Sequence, residues 1–159
     1  MSTGTPATQF LRAANIPFRA VEYKYDPGQE RVALQAAEAT GIPPGQLLKT
    51  LMVEVDNNPA CAVLPGDRTL SMKLVAAALG GKAAAMMPPE KAERLTGYRT
   101  GGISPFGQRR KVPVLFEDSA MGFETVGING GKRGLIVVLS PQAACMALGA
   151  KAAVLCAEM

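Results

Sequence analysis

Histidine is absent from the 159-residue sequence. Its absence excludes nucleophile activation of the Ser-His-Asp and Cys-His types, the HExxH zinc site and all acid–base catalysis by imidazole. Any catalysis by this chain must therefore use lysine, carboxylates, tyrosine, hydroxyl groups, backbone amides or a group that the substrate supplies.

Tryptophan is also absent, and aromatic residues make up only 5% of the chain. Because 48% of the residues are hydrophobic, the sequence predicts an ordered core of aliphatic side chains and alanine. The length predicts a single domain over residues 1–159. No apolar run has the length of a membrane span, and residues 1–9 lack the features of a signal peptide. We therefore expect a cytoplasmic protein.

The three cysteines, Cys61, Cys145 and Cys156, are odd in number and match no zinc or redox motif in their spacing. All three lie in apolar segments, so we interpret them as small buried hydrophobic residues. The sequence has no cluster of cysteines or carboxylates with ligand spacing. We therefore expect a protein that uses no metal and no cofactor.

Two stretches are rich in glycine and precede an apolar strand: the first glycine loop, residues 101–110 (GGISPFGQRR), and the second glycine loop, residues 129–134 (NGGKRG). Glycine lets backbone N–H groups approach an oxygen-rich ligand closely, and neighbouring cations favour an anion. The alternative is that each loop is an ordinary turn with solvated charges. Two such loops in one small domain favour a binding site.

The net charge of +4 fits an anionic partner but is not diagnostic of nucleic acid. Five of the 17 lysines and arginines flank the two glycine loops: Arg109, Arg110, Lys111, Lys132 and Arg133.

Apolar periodicity, capping residues and turn residues predict five short helices and about seven strands. The predicted helices cover residues 7–14, 30–40, 72–79, 88–96 and 141–149. The predicted strands cover residues 18–23, 47–55, 60–64, 112–116, 123–128, 135–139 and 153–156, with a short one over 83–87. This order predicts an α+β fold with a mixed, partly antiparallel sheet that curls towards a barrel, and short helices packed around it.

The predicted strand over residues 47–55 carries a lysine on its more apolar face. Strand alternation places Lys49 on the same face as Leu47 and Leu51. The ammonium group is then either at the mouth of the strand, where it extends to water, or partly buried in a pocket. The pattern leaves both interpretations open.

Several catalytic motifs are missing. The GxSxG motif of hydrolases is absent, and no histidine is present to activate Ser104. The GxGxxG and Walker patterns are absent too, and the second glycine loop precedes a strand instead of a helix.

Three blocks of the sequence resemble the YbaK/EbsC family: residues 48–51 (LKTL), 101–108 (GGISPFGQ) and 130–135 (GGKRGL). The resemblance covers nearly the whole chain, from Thr5 to about Leu155. That family consists of trans-acting aminoacyl-tRNA deacylases related to the editing domain of bacterial prolyl-tRNA synthetases. The resemblance implies the fold of that editing domain and hydrolysis of the ester that joins a wrong amino acid to tRNA(Pro).

The resemblance also implies roles for individual residues. The family's key lysine corresponds to Lys49, and the glycines whose backbone lies against the scissile ester correspond to Gly101 and Gly102. The implied substrate-binding residues are Tyr23, Thr50, Ile103, Ser104, Asn129, Gly130, Gly131 and Arg133. Asn129 stands where YbaK-like members usually carry serine, which leaves the preferred aminoacyl group open.

The implied substrate is Cys-tRNA(Pro), and the implied protein partner is prolyl-tRNA synthetase. In the YbaK-like mechanism the thiol of the substrate attacks the ester and leaves as a cyclic thiolactone; water is the alternative nucleophile. Backbone N–H groups of a glycine loop are suited to stabilise the oxyanion, and a partly buried ammonium to hold phosphate or ribose. Two alternatives stay open: a deacylase with another preference, such as alanine, and a module that binds a nucleotide or tRNA end without chemistry.

Overall fold

The structure is a computed structural model that describes residues 4–26 and 32–157, with the side chains of residues 32–34 excepted. The predicted start of the second helix, at residues 30–31, lies outside the described residues. The helices are α1 (Pro6–Ala13), α2 (Val32–Thr40), α3 (Met72–Ala78), α4 (Pro89–Thr96) and α5 (Pro141–Leu148), with a 3-10 helix at Asp118–Gly122. The strands are β1 (Arg19–Glu22), β2 (Leu47–Val55), β3 (Asn58–Pro65), β4 (Ala84–Met86), β5 (Val114–Glu117), β6 (Val126–Asn129), β7 (Leu135–Leu139) and β8 (Lys151–Ala153).

The helices begin and end at residues that favour capping. Thr5 and Ser140 accept hydrogen bonds from backbone amides three residues later, at the starts of α1 and α5. Gly97 and Gly149 adopt the left-handed conformation at the ends of α4 and α5. The Thr5 hydroxyl also donates a hydrogen bond to the Gly130 carbonyl at 2.5 Å. This bond ties the start of α1 to the second glycine loop.

The eight strands form one mixed sheet in the order β1-β7-β6-β2-β3-β5-β8, with β4 paired to β2. The neighbours β2–β6, β3–β5 and β5–β8 are parallel, and the other pairs are antiparallel. The predicted α+β class and mixed sheet are confirmed. The end strands β1 and β8 do not pair with each other among the described residues, so the sheet does not close into a barrel.

Both faces of the sheet are covered by helices. In β3, Cys61 and Val63 pack on the side of α1, α4 and α5, while Ala62 and Leu64 pack on the side of α3. α2 covers the region of Leu47 on the same side as α3. The core is mostly aliphatic, as predicted, and all three cysteines are buried free thiols. In the described part of the chain, no helix has the length and apolar character needed to cross a membrane.

The central strand β2 has one continuous edge and one interrupted edge. β3 pairs with β2 along its length. On the opposite edge, β6 pairs with residues 47–48 and β4 pairs with residues 53–55. Strand pairing on this edge therefore stops after residue 48 and resumes at residue 53.

Backbone polar groups point into this interruption. The Gln46 carbonyl accepts a hydrogen bond from β6, and the Met52 carbonyl accepts one from the Met87 amide, so even-numbered residues of β2 face this edge. The N–H and C=O of Thr50 consequently face the gap between β6 and β4.

Several strand starts differ from the prediction; β3, for example, begins at Asn58 instead of residue 60. Hydrogen bonding explains two of the differences. β5 begins at Val114 instead of residue 112. Pro113 has no N–H for the ladder, and its carbonyl accepts a hydrogen bond from the Cys61 amide at 2.9 Å. β6 begins at Val126 instead of residue 123. The Gln46 side-chain amide donates a hydrogen bond to the Thr125 carbonyl at 2.9 Å. This carbonyl is therefore not available to a neighbouring strand.

The last strand, β8, covers Lys151–Ala153 instead of the predicted residues 153–156. A buried carboxylate redirects the chain after β8. Glu117 accepts hydrogen bonds from the amides of Leu155 at 2.8 Å, Cys156 at 3.2 Å and Ser119 at 2.8 Å. These bonds end the ladder at Ala153 instead of residue 156. Burial raises the pKa of Glu117, but the hydrogen bonds outweigh burial and lower the pKa to about 2.

We predict that Glu117→Gln lowers the free energy of unfolding at pH 7 by about 1–3 kcal/mol. The folded-state pKa lies below the usual value of 4.5, so this stabilisation is present above pH 4.5 and is lost as the pH falls towards 2. The variant should therefore lose less stability over this acid range than the wild type. Chemical denaturation at a series of pH values measures both effects.

Asp118→Asn is the matched control, because Asp118 is the exposed neighbouring acid. It should change the free energy of unfolding by less than about 0.5 kcal/mol. A Glu117→Gln variant as acid-sensitive as the wild type would contradict the prediction.

Candidate active site

A cavity of about 650 Å³ opens at the interrupted edge of β2. Its apolar wall consists of Ala36, Leu47, Leu48, Leu51, Met52, Met86, Met87, Pro89, Ala92, Ile103 and Ile136. Its polar wall includes Tyr23, Lys49, Thr50, Asp67, Arg68, Thr69, Thr100, Gly101 and Asn129. One volume thus offers cations, hydroxyl groups and apolar surface, which suits a ligand with a charged part and an apolar part.

Three buried side-chain polar atoms in the described part of the chain have no hydrogen-bond partner of normal geometry. They are Tyr23 Oη, Thr50 Oγ1 and Arg68 Nε. Buried polar groups are almost always paired, because an unpaired one costs about 1–3 kcal/mol. All three residues line the same cavity. Their coincidence makes this cavity the candidate site for a polar ligand.

Tyr23 follows the last residue of β1, and its amide donates to the Gly134 carbonyl at 2.9 Å. Burial raises the pKa of its phenol, Tyr25 adds to the shift, and the Gly134 backbone partly offsets it. The hydroxyl is therefore protonated at neutral pH, and Tyr23 presents a donor and an acceptor to the cavity.

Lys49 and Thr50 are neighbours in β2 and point to opposite faces of the sheet, yet both line the cavity. The interruption of the edge explains how both reach the same volume. On the face of β2 that carries Lys49, Leu47 packs in the hydrophobic cluster that includes α2. On the same face, Leu51 packs against the hydrophobic cluster that includes α3. Lys49 lies between these clusters and is half-buried, which favours the pocket interpretation of the sequence pattern.

The two glycine loops pack backbone to backbone. A Cβ atom on Gly102 would lie 2.9 Å from the Arg133 nitrogen and 3.0 Å from the Lys132 carbonyl carbon. These contacts are too short for any side chain at residue 102. Gly101 has a φ of +88°, in the region that glycine adopts readily. The close approach of the second loop thus explains Gly102, and the positive φ explains Gly101.

Side chains of the second loop complete the connection. Asn129 Nδ2 donates to the Gly101 carbonyl at 3.3 Å, and Asn129 Oδ1 accepts from the Gly131 amide at 2.7 Å. Arg133 Nε donates to the Thr100 carbonyl at 2.8 Å. The Arg133 guanidinium also lies over the Tyr25 ring, 5.2 Å from its centroid.

The structure brings together six of the eleven predicted site residues on the cavity wall: Tyr23, Lys49, Thr50, Gly101, Ile103 and Asn129. The other five, Gly102, Ser104, Gly130, Gly131 and Arg133, do not line it. Ser104 is fully buried, and its hydroxyl oxygen accepts a hydrogen bond from the Phe106 amide at 3.3 Å. Ser104 thus stabilises the turn of the first loop.

Most glycine amides of the predicted site are already bonded. Gly102 donates to the Arg99 carbonyl, Gly130 to the Leu135 carbonyl and Gly131 to Asn129 Oδ1. Within residues 4–26 and 32–157, no acceptor is found for the Gly101 amide. Gly101 and Thr50 are therefore the candidate backbone donors to a ligand.

Sequence reasoning missed the turn after β3, which adds Asp67, Arg68 and Thr69 to the cavity wall. A signal was available in the short connection between the strands predicted over residues 47–55 and 60–64, which is typical of a hairpin. The register of these strands places Lys49 opposite Leu64, so the residues that follow Leu64 lie near the lysine.

In the described ranges, no three cysteine, aspartate or glutamate side chains form a group that could hold a metal ion.

Comparison with known families matches residues 29–144 to the aminoacyl-tRNA editing domain. The chain belongs to this family. EbsC of Enterococcus faecalis, provisionally named a Cys-tRNA(Pro)/Cys-tRNA(Cys) deacylase, is 32% identical over 142 residues, which are 87% of this chain and 85% of that protein. The proline–tRNA ligase of Acidithiobacillus ferrooxidans is 34% identical over 112 residues, which are 70% of this chain and 19% of the ligase.

A solved structure supports the fold of the editing domain. It belongs to a protein provisionally described as a trans-editing enzyme for prolyl-tRNA synthetase, with a TM-score of 0.84 and 24% identity. The superposition covers 98% of this chain and 99% of that one. The fold and the family predicted from the sequence are thus confirmed.

We predict that Gly102→Ala lowers the free energy of unfolding of the editing domain by about 1–3 kcal/mol, because the added Cβ collides with the backbone of the second loop. Gly122→Ala is the matched control, since a Cβ there meets no atom within 4 Å. Its free energy of unfolding should stay within about 0.5 kcal/mol of the wild type. Denaturant titration measures both, and equal stability of the two variants would contradict the close approach of the loops.

Proposed function

We propose that this editing domain is a trans-acting deacylase that hydrolyses mischarged tRNA(Pro), with Cys-tRNA(Pro) as the foremost substrate. The observation that carries the proposal is the set of buried polar atoms without partners that line one cavity beside Lys49. The terminal adenosine and its aminoacyl ester supply the phosphate, hydroxyl and carbonyl groups that such a wall pairs with. The family membership and the name of the Enterococcus relative support this function.

The proposed chemistry needs little from the protein, because an aminoacyl ester is already activated. The amides of Gly101 and Thr50 donate to the oxyanion that forms on the ester carbonyl. Lys49 holds the phosphate or ribose of the terminal adenosine. The substrate thiol, or water, attacks the carbonyl carbon, and the bond to the ribose oxygen breaks. A cysteine substrate leaves as a cyclic thiolactone, and the ribose hydroxyl takes up the proton.

Asn129 bears on the choice of the amino acid. Its bond to Gly101 connects the two loops beside the proposed ester position, and its bond to Gly131 lies within the second loop. A serine, which is shorter, does not span both contacts. Because of this difference, a deacylase with another aminoacyl preference, such as alanine, is the second candidate within the same function.

We predict that Lys49→Ala lowers the rate of deacylation by roughly 10²-fold or more, because the variant lacks a charge that stabilises the bound ester. Lys49→Arg should also be slow, since a forked guanidinium does not replace a compact ammonium in a tight site. The measurement is the decay of tRNA(Pro) charged with cysteine, alanine or serine.

We also predict that EDTA leaves the rate of deacylation unchanged when the folding of the tRNA is controlled.

Lys73→Ala is the matched control, because it removes the same charge from an exposed position on α3. It should retain the wild-type rate within a few-fold. A stable Lys49→Ala variant with the wild-type rate would show that Lys49 does not contribute to deacylation. Decay that the wild-type protein does not accelerate for any of the three amino acids would favour the module that binds without chemistry.

We also propose that prolyl-tRNA synthetase supplies much of the tRNA selectivity. A chain with a net charge of +4 should bind free tRNA weakly, and its affinity should fall as the salt concentration rises. Adding the synthetase should increase deacylation of tRNA(Pro) over other charged tRNAs. Binding titrations and competition assays measure these effects. Tight, tRNA(Pro)-selective binding by the isolated protein would contradict the proposal.

A further inference from the structure

We propose that Arg68 is a second cation of the site and binds the 5′-phosphate of the terminal adenosine, a proposal that rests on the proposed function. Arg68 lies in the turn after β3 and lines the cavity. Its Nε–H is buried and has no partner of normal geometry among the described residues. A phosphate oxygen is an acceptor that such a charged donor pairs with strongly.

The guanidinium of Arg68 is held in place from behind. Its Nη2 donates to the Ala157 carbonyl at 3.2 Å. The segment that carries Ala157 is itself fixed, because the Ala157 amide donates to the Thr69 carbonyl at 2.8 Å. A side chain positioned in this way loses less conformational freedom when it binds an anion.

Arg68 and Lys49 lie on the same side of the sheet. Lys49 pairs with Leu64 across the β2–β3 hairpin, and Arg68 follows in the turn that ends β3. Burial and Glu117 raise the pKa of the Cys156 thiol to about 11. The positive charges of Arg68 and Lys49 act on the same thiol in the opposite direction. Lys49 and Arg68 also both line the cavity.

No carboxylate lies within ion-pair distance of the Arg68 guanidinium in the described part of the chain. Asp67 also lines the cavity but is exposed. An arginine that is partly buried without an ion pair is costly unless an anion joins it. In an aminoacyl-tRNA end, the anion nearest to the ester is the phosphate on the terminal ribose.

The test compares the binding of 5′-AMP and adenosine, which differ by the phosphate alone, in NMR titrations. The wild-type protein should bind 5′-AMP more tightly than adenosine. Arg68→Gln should weaken the binding of 5′-AMP by roughly 10- to 100-fold, the size expected for a charge-assisted hydrogen bond. Its affinity for adenosine should stay within about 2-fold of the wild type, since the phosphate contact is absent there.

Two further variants separate a binding role from a structural one. Arg68→Lys keeps the charge but loses the fork, so its affinity for 5′-AMP should lie between those of the wild type and Arg68→Gln. Arg19→Gln removes the same charge from an exposed position on the edge strand β1 and should change neither affinity. If Arg68→Gln does not fold, a selective loss of 5′-AMP affinity in Arg68→Lys still supports the proposal.

Equal affinities of the wild type for 5′-AMP and adenosine would overturn the proposal, and so would a loss of both affinities to the same extent in a folded Arg68 variant. Deacylation assays separate this result from the proposed function. A wild-type protein that hydrolyses charged tRNA while Arg68→Gln keeps its kcat and KM would overturn the Arg68 role alone. A phosphate preference that depends on Arg68, in a protein that deacylates nothing, would support the phosphate site and overturn the proposed function.

Discussion

The interruption of strand pairing on one edge of β2 is the constraint on which the site depends. A continuous ladder from residue 47 to residue 55 would fill this edge and leave no cavity. Because β6 pairs only with the start of β2 and β4 only with its end, backbone donors, Lys49 and Thr50 are accessible at the centre of the sheet.

The glycine loops form the other side of this opening and depend on each other for their shape. Gly102 admits the backbone of the second loop, and Asn129 and Arg133 bond back to the first. Thr5 adds the start of α1 to the assembly. Loop residues outside the cavity therefore position the residues that line it. Most glycine amides of the loops form hydrogen bonds within this assembly and are not available to a ligand.

The carboxyl-terminal segment has a comparable role for the cationic wall. Glu117 anchors the amides of Leu155 and Cys156, and Ala157 then meets Arg68. A single buried carboxylate thus connects the stability of the sheet edge with the position of a cation in the cavity. The connection passes through backbone groups, which explains why no pattern of side chains in this segment revealed it.

The sequence by itself determined the α+β class, the helix ends and the position of Lys49 on a strand, because periodicity, capping and turn formation depend on residues close together in the chain. The blocks around Lys49 and the two loops also indicated the family. Only the tertiary structure decided where strand pairing stops, that Ser104 faces the interior of its loop, and that Arg68 joins the cavity. These features depend on the register between distant segments and on which backbone groups they occupy, and the local sequence does not encode either.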